Sequence, residues 1–431
     1  MRFHGLVLVV AAVAWGLLAG PGLAAETGSP LSPRAVEAYY SSADAAPPSR
    51  PSGTSLGTGN VEVVVNSALH DSGQISAGLN QYLQNIQGQG YNPILTTSSF
   101  ADAAALRAHL AGRYANDGLA GAVFIGDLPV ASYEIDAHGS WEYESFPCDL
   151  YYQDLDGYWA DIDANGALDH HVGNVGPEIW LGRLLTHELT ALHPGRTEAG
   201  MLNDYFARND AYRARQLGVA DNGLAYVDDD WAAWSSRWST DLSSAVEGTV
   251  MTVSAGATTT AADYTSRLQT EYEHVLLAAH SNVTKHAFKI GDQWTGGSVF
   301  NHELEGLDPQ ALFYNLFACL NASYTDSGYM AGEYVFGTDM GLLAVGSTKT
   351  GSMLSFGDYF EPLGQGETFG DALLNWWLAR AAGGFDSTER DWHYGMTMLG
   401  DPLLLTQEFI PEPACLLLLA AGAAAVLRRR A

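Results

Sequence analysis

Cysteine is scarce in this chain. Cys148, Cys319 and Cys415 are the only three among 431 residues. Three thiols cannot build the disulfide framework on which small exported domains depend. A Cys148–Cys319 bridge is arithmetically open, but stability has to come from an apolar core. Basic residues are also few, with Lys+Arg at 20 against Asp+Glu at 49 and a net charge of −29. That imbalance excludes nucleic acid and anionic lipid as electrostatic partners. It suits an exported, soluble or metal-loaded surface and gives a weak attraction for cationic substrates. No fixed-period repeat is present, which excludes a solenoid. What remains is globular in composition, with 47% hydrophobic and 16% charged residues.

The two ends read as targeting segments. Met1-Arg2-Phe3-His4 is a short basic start, Gly5 to Leu18 is apolar, and Gly22-Leu23-Ala24 or the following Ala25 offers small residues for cleavage. This is the layout of an export signal over 1–25. Residues 26–60 are rich in Ser, Pro, Ala, Gly and Thr and read as a linker or propeptide-like segment. At the other end, Pro411-Glu412-Pro413 precedes an apolar run from Ala414 to Leu427 and then Arg428-Arg429-Arg430. The run is short for a membrane span of about 20 residues, and the terminal arginines mark a cytoplasmic stop. The arrangement over 409–431 resembles the PEP-CTERM sorting signal. That resemblance implies export across the inner membrane of a Gram-negative-type bacterium to the cell envelope or beyond. It also implies transient membrane insertion of the tail helix and processing by an exosortase.

Between the ends, apolar runs alternate with helical stretches. Strands are expected at Val61–Val65, Pro93–Thr97, Gly121–Ile125, Glu178–Arg183, Gly223–Val227, Val250–Val253 and Gly341–Gly346. Helices are expected at Ser76–Gly88, Asp102–Arg113, within His187–Arg213 and at Phe369–Ala381. Such alternation predicts an α/β fold, a mainly parallel sheet flanked by helices. The halves on either side of residue 215 are expected to be two subdomains of one sheet system.

Two more apolar runs end on reactive side chains. His274–Ala279 runs into His280-Ser281, and Leu312–Ala318 runs into Cys319-Leu320-Asn321. Open parallel sheets carry their working residues at the carboxyl ends of strands. An imidazole and a thiol on one edge form a nucleophile and its base. A third polar group would orient the imidazole, and the backbone N–H groups of Cys319 and Ser281 are the expected oxyanion donors.

His280-Ser281-Asn282 and Ala318-Cys319-Leu320-Asn321 resemble the His-Gly and Ala-Cys motifs of clan CD cysteine peptidases, within that clan the gingipain family, C25. The likeness extends over about 61–408, the expected peptidase domain. It takes in Phe124–Pro129, Cys148–Tyr152 with Ile179–Leu184, Ala331-Gly332-Glu333 with Leu342–Thr348, Phe369–Leu373, and Leu399-Gly400-Asp401-Pro402. The resemblance implies a caspase-like fold and an exported cysteine endopeptidase acting on protein or peptide substrates without an organic cofactor. Cys319 would be the nucleophile, His280 the base and acid, Asp149 the residue orienting the histidine, and Asp358 a candidate for the S1 pocket. His286 is a second imidazole, expected at the surface or in a subsite. Ser281 departs from the family's glycine. A catalytically silent, calcium-stabilised envelope protein, or a peptidase restricted to self-processing, is the alternative that this departure motivates.

An acidic stretch adds a metal expectation. Asp161, Asp163, Asn165 and Asp169 place oxygen ligands at alternate positions, with Gly166 sixth in the loop, which is how a calcium loop is built. Val172 stands where an EF-hand needs glutamate, so the signature is partial. A structural calcium is expected, with an acidic solvated turn as the alternative. The neighbouring His170-His171 pair would suggest zinc, but the oxygen-rich setting favours calcium.

Overall fold

The computed structural model describes residues 31–42 and 59–411. The export signal, most of the linker and the arginine-ended tail lie outside the described residues. Among the described residues, no helix is long and apolar enough to cross a membrane.

Ten strands form one sheet: β1 (Asn60–Asn66), β2 (Asn92–Ser98), β3 (Leu119–Ile125), β4 (Trp180–Leu184), β5 (Gly223–Val227), β6 (Val250–Val253), β7 (Tyr272–Ala278), β8 (Ala311–Phe317), β9 (Leu343–Ser347) and β10 (Met396–Gly400). Their spatial order is β6-β5-β7-β8-β9-β10-β4-β3-β1-β2. Every pairing is parallel except β9 with β10. The α/β fold with a mainly parallel sheet is therefore the observed one. The exception divides the sheet. β6, β5, β7, β8 and β9 run one way, and β10, β4, β3, β1 and β2 run the other. Their carboxyl ends consequently lie on opposite edges.

The central strands are buried on both faces, so they read as unbroken apolar runs rather than as alternation. Every residue of β7 and β8 is buried. Side chains still alternate between two cores with period two. Val275, Leu277 and Leu316 face one core, which is roofed by Leu79, Tyr82 and Ile86 of α2 (Ser76–Gly88) and by Met201, Leu202, Tyr205 and Phe206 of α4 (Glu198–Arg213). Leu276, Ala278 and Phe317 face the other, under Trp376 and Trp377 of α5 (Phe369–Ala381). α3 (Ala103–Asp117) covers Val64 and Phe124 through Leu106 and Leu110. Its start is fixed by Asp102, whose side chain accepts the Ala105 N–H. Burial of each such aliphatic or aromatic side chain contributes about 1.5–3 kcal/mol.

Two expectations change here. Leu399-Gly400-Asp401-Pro402, read from the sequence only as part of the family likeness, begins inside a strand: Leu399 and Gly400 complete β10, the strand that reverses the sheet. Part of the linker segment is also folded. α1 (Pro33–Ser42) docks on the core, with Leu31, Val36, Tyr39 and Tyr40 buried.

Candidate active site

The site is set by register. Val227 at the end of β5 pairs with Ala278 at the end of β7, and Ala278 pairs with Phe317 at the end of β8. Three adjacent parallel strands thus stop in one row. Two residues beyond Ala278 is His280, and two beyond Phe317 is Cys319. Three residues beyond Val227 is Asp230. Chain ends that leave a sheet in line bring their next residues together above the same edge.

Asp230 is the acid that holds the imidazole. Its Oδ2 lies 2.8 Å from His280 Nε2. A carboxylate only accepts, so Nε2 carries the proton and Nδ1 carries the lone pair. Nδ1 has no hydrogen-bond partner among the described residues. Lys289 Nζ is 3.1 Å from the same Asp230 oxygen. Burial pushes Asp230 up, but the bonds from His280 and Lys289 win and hold it below the ordinary carboxylate range. For His280, burial is the largest influence and lowers it, with Asp230 opposing. Two indoles enclose the ring: Trp231 at 4.6 Å between centroids and Trp294 at 4.7 Å, edge-on. Asp228 anchors the turn, accepting the N–H groups of Asp230 and Lys289.

Cys319 is a free cysteine, partly exposed as a residue but with its sulfur turned inward. Burial of its sulfur pushes it up to about 12, opposed by the Gly351 N–H, the Lys349 ammonium and its own N–H. No hydrogen bond joins Cys319 to His280 among the described residues, and apo catalytic pairs are commonly looser than reacting ones. The chain turns sharply at the next residue. Leu320 has φ of 56°, a left-handed conformation rare outside glycine. Its N–H bonds to Lys349 O at 3.0 Å. Gly351 has φ of 135°, and a Cβ there would meet Trp392 O at 2.5 Å. Glycine is therefore required where the backbone passes the thiol.

The structure places the other expected residues as follows. Asp149 does not orient His280. Its carboxylate accepts from Arg183 Nε and Nη2 at 2.7–3.0 Å, from Tyr324 Oη at 2.9 Å and from Thr397 Oγ1 at 2.5 Å. Arg183 belongs to β4 in the other half of the sheet, so this acid is a buried anchor. Ser281 is not among the residues with positive φ, so its backbone does not need glycine's freedom. Its hydroxyl is turned into its own hairpin, against Asn282 O at 2.9 Å and Lys285 O at 3.0 Å. Ser281 pairs with His286 in a small antiparallel sheet. The Gly351 N–H acts with Cys319's own N–H to lower the thiol against its burial, which places Gly351 beside the sulfur. Asp358 lies 2.6 Å from Arg380 and so is no free anion for a basic side chain. His286 is not at the surface: it is fully buried without a hydrogen-bond partner, and burial drives it down to about 3. Cys148 is buried and also free.

The acidic loop brings together two of its four expected members, Asp163 and Asp169, and adds Glu134 in place of Asp161 and Asn165. Oxygens of Asp163, Asp169 and Glu134 lie within 4.8 Å of one another. Asn165 Nδ2 donates to both Glu134 oxygens at 2.9 Å. Asp161 is occupied with closing the loop, accepting the N–H groups of Asn165 and Gly166, and these bonds lower it. Desolvation, and after it the neighbouring Glu134 and Asp161 carboxylates, raise Asp163, the electrostatic situation that a cation relieves. His171 is unavailable for zinc, since Nδ1 meets Tyr394 Oη at 2.7 Å and Nε2 meets Asp154 Oδ2 at 2.5 Å.

Sequence reasoning missed Asp230, Gly351 and Glu134. Asp230 obeyed the rule that found the other two, because Asp228-Asp229-Asp230 directly follows the apolar run Gly223–Val227. Gly351 and Glu134 come from segments whose approach only the fold defines. Comparison with protein-family models, with curated proteins and with solved structures finds no match to this chain.

Proposed function

We propose that the chain is an exported cysteine endopeptidase, gingipain-like in kind, in which Cys319 attacks a peptide carbonyl. The observation that carries this reading is the row Val227–Ala278–Phe317, beyond which Asp230, His280 and Cys319 emerge from three neighbouring strands. A thiol raised to about 12 is neutral at pH 7, and a lowered imidazole is neutral too. The pair therefore works by general base catalysis during attack, not through a resting ion pair.

In the first step His280 Nδ1 takes the Sγ proton as sulfur bonds to the carbonyl carbon. The oxyanion is held by the N–H groups of Cys319 and Gly351. Asp230 stabilises the imidazolium and keeps its tautomer. His280 returns the proton to the leaving amine, leaving a thioester, and the same nitrogen then activates water to release the acid. Neutralisation of Asp358 by Arg380 argues against a lysine- or arginine-selective S1 pocket built on that residue.

Calcium is proposed at Glu134, Asp163 and Asp169, where it would join the loop to the Ser132–Ile135 strand. Export and exosortase processing rest on the two ends of the sequence. A peptide-library digest by wild type and by Cys319→Ala tests the activity. Cleavage by wild type alone supports it, and equal cleavage by both, or by neither, contradicts it.

A further inference from the structure

The amino-terminal segment 31–42 reaches the supports of both catalytic groups without touching either group itself. Leu31 O accepts the indole N–H of Trp231 at 2.7 Å, and Trp231 is the ring lying 4.6 Å from His280. Tyr40 Oη accepts the indole N–H of Trp238 at 2.8 Å. Trp238 lies 5.1 Å from Phe317, two residues before Cys319. The Ser355 N–H reaches the same Tyr40 oxygen at 3.4 Å, where Ser355 holds a left-handed φ of 54°. Tyr39 Oη receives Arg380 at 2.5 Å and lies 3.3 Å from His393 Nε2. Val36 is fully buried and Tyr39 is 2% exposed. A removable plug would sit on the thiol and the imidazole. This segment sits behind them, sunk into the same aromatic core as Trp231, Phe356 and Trp392.

We propose that residues 31–42 are a strap belonging to the working enzyme, and that through Trp231 it positions His280. The proposal rests on the Asp230–His280–Cys319 reading. Trp231 immediately follows Asp230, so one short turn supplies both the acid on Nε2 and the ring on the imidazole face. An indole N–H donates and never accepts, so its bond to Leu31 O fixes the ring's rotation as well as its depth. Trp294, 36% exposed, covers the imidazole from the solvent side and has no such tether among the described residues. With the strap in place the imidazole can turn neither away from Asp230 nor toward Trp231, which leaves Nδ1 as its free nitrogen. Trp231 is a positioning residue, not a catalytic one, since it would touch neither substrate nor the reacting atoms.

The test uses the full chain with Trp231→Phe, which keeps a ring but deletes the N–H, and Trp231→Leu, which deletes the ring. The readouts are the NMR titration of the His280 imidazole, kcat and KM separately, and the melting temperature. Expected is a graded loss, Phe smaller than Leu, carried by kcat with KM little changed. A displaced base costs roughly tenfold to a hundredfold. The His280 midpoint should move upward in both variants as the imidazole gains hydration. An unchanged His280 titration in a folded Trp231→Leu protein overturns the proposal, as does a rise in kcat, which would make the segment a plug. A chain inactive on every peptide removes the peptidase reading, yet the titration still decides whether Trp231 and its tether set the imidazole.

Discussion

Two acids compared side by side explain how this sheet divides its labour. Asp230 and Asp149 each follow a strand and each meet a nitrogen base. Asp230 receives a titratable imidazole and a lysine at the mouth of the site. Asp149 receives a guanidinium, a phenol and a threonine in the interior. An imidazole can pass its proton onward, whereas a guanidinium holds its proton at every working pH. Only the first pair can do acid–base chemistry. The antiparallel joint between β9 and β10 underlies the difference, because it sends the carboxyl ends of the two half-sheets to opposite edges. One half presents reactive residues in a row, and the other is tied to it by Arg183, which lies over the ring of Tyr324, beyond β8, at 4.4 Å and over Phe124 of its own half at 5.1 Å.

The sharpest way to break the comparison is to remove the nucleophile. Cys319→Ala should lower peptide hydrolysis by about 10⁴-fold or more while the melting temperature stays near wild type, since truncating a triad member removes most of the chemistry. Next comes Asp230→Asn, which keeps the shape but loses the charge. It should reduce kcat by about 10³–10⁴-fold, measured on the best library peptide, with a cooperative unfolding transition retained. Asp149→Asn should do the reverse. It leaves Arg183 buried without its counter-charge and should cost about 3–5 kcal/mol in denaturant unfolding, with any folded fraction keeping its kcat. If Asp149→Asn instead lost kcat at full stability, the assignment of the two acids would be inverted.

How far the residues alone disclosed this arrangement follows from what each signal measures. Ser76–Gly88 and Phe369–Ala381 are helices with the expected bounds, and the strand runs from Val61 to Val345 fall where apolar continuity placed them. His280 and Cys319 were legible because a buried strand ends abruptly on them. Asp149 was assigned by resemblance, and the fold gives it to Arg183, a partner 34 residues on that apolar patterning cannot reveal. The reversal at Met396–Gly400 was hidden for a related reason: strand direction is a property of the path between strands, not of the strand. Gly351 carries no local sign of its closeness to the thiol, since the Trp392 carbonyl that demands glycine there comes from 41 positions later.

Smaller effects refine the picture. Burial raises the Cys319 thiol above the ordinary value of about 8.5, so alkylation by iodoacetamide should still be accelerating at pH 9–10. An accessible thiol would level off near pH 9. His280 is lowered, so its neutral, base-competent form persists as pH falls below 6.5, and the acid limb of kcat/KM should lie below that value. At the acidic loop, a chelator should lower the melting temperature by a few degrees, about 1 kcal/mol in a chain of this size. Glu134→Gln should abolish that sensitivity.

The central claim is that Asp230, His280 and Cys319 form one acyl-transfer unit, and intact-protein mass spectrometry with a peptidyl acyloxymethyl ketone tests it most directly. The account predicts a single adduct on Cys319, strongly slowed in His280→Ala and in Asp230→Asn. A Cys319 that iodoacetamide alkylates but the peptidyl electrophile leaves untouched would contradict it, as would labelling that proceeds equally well without His280.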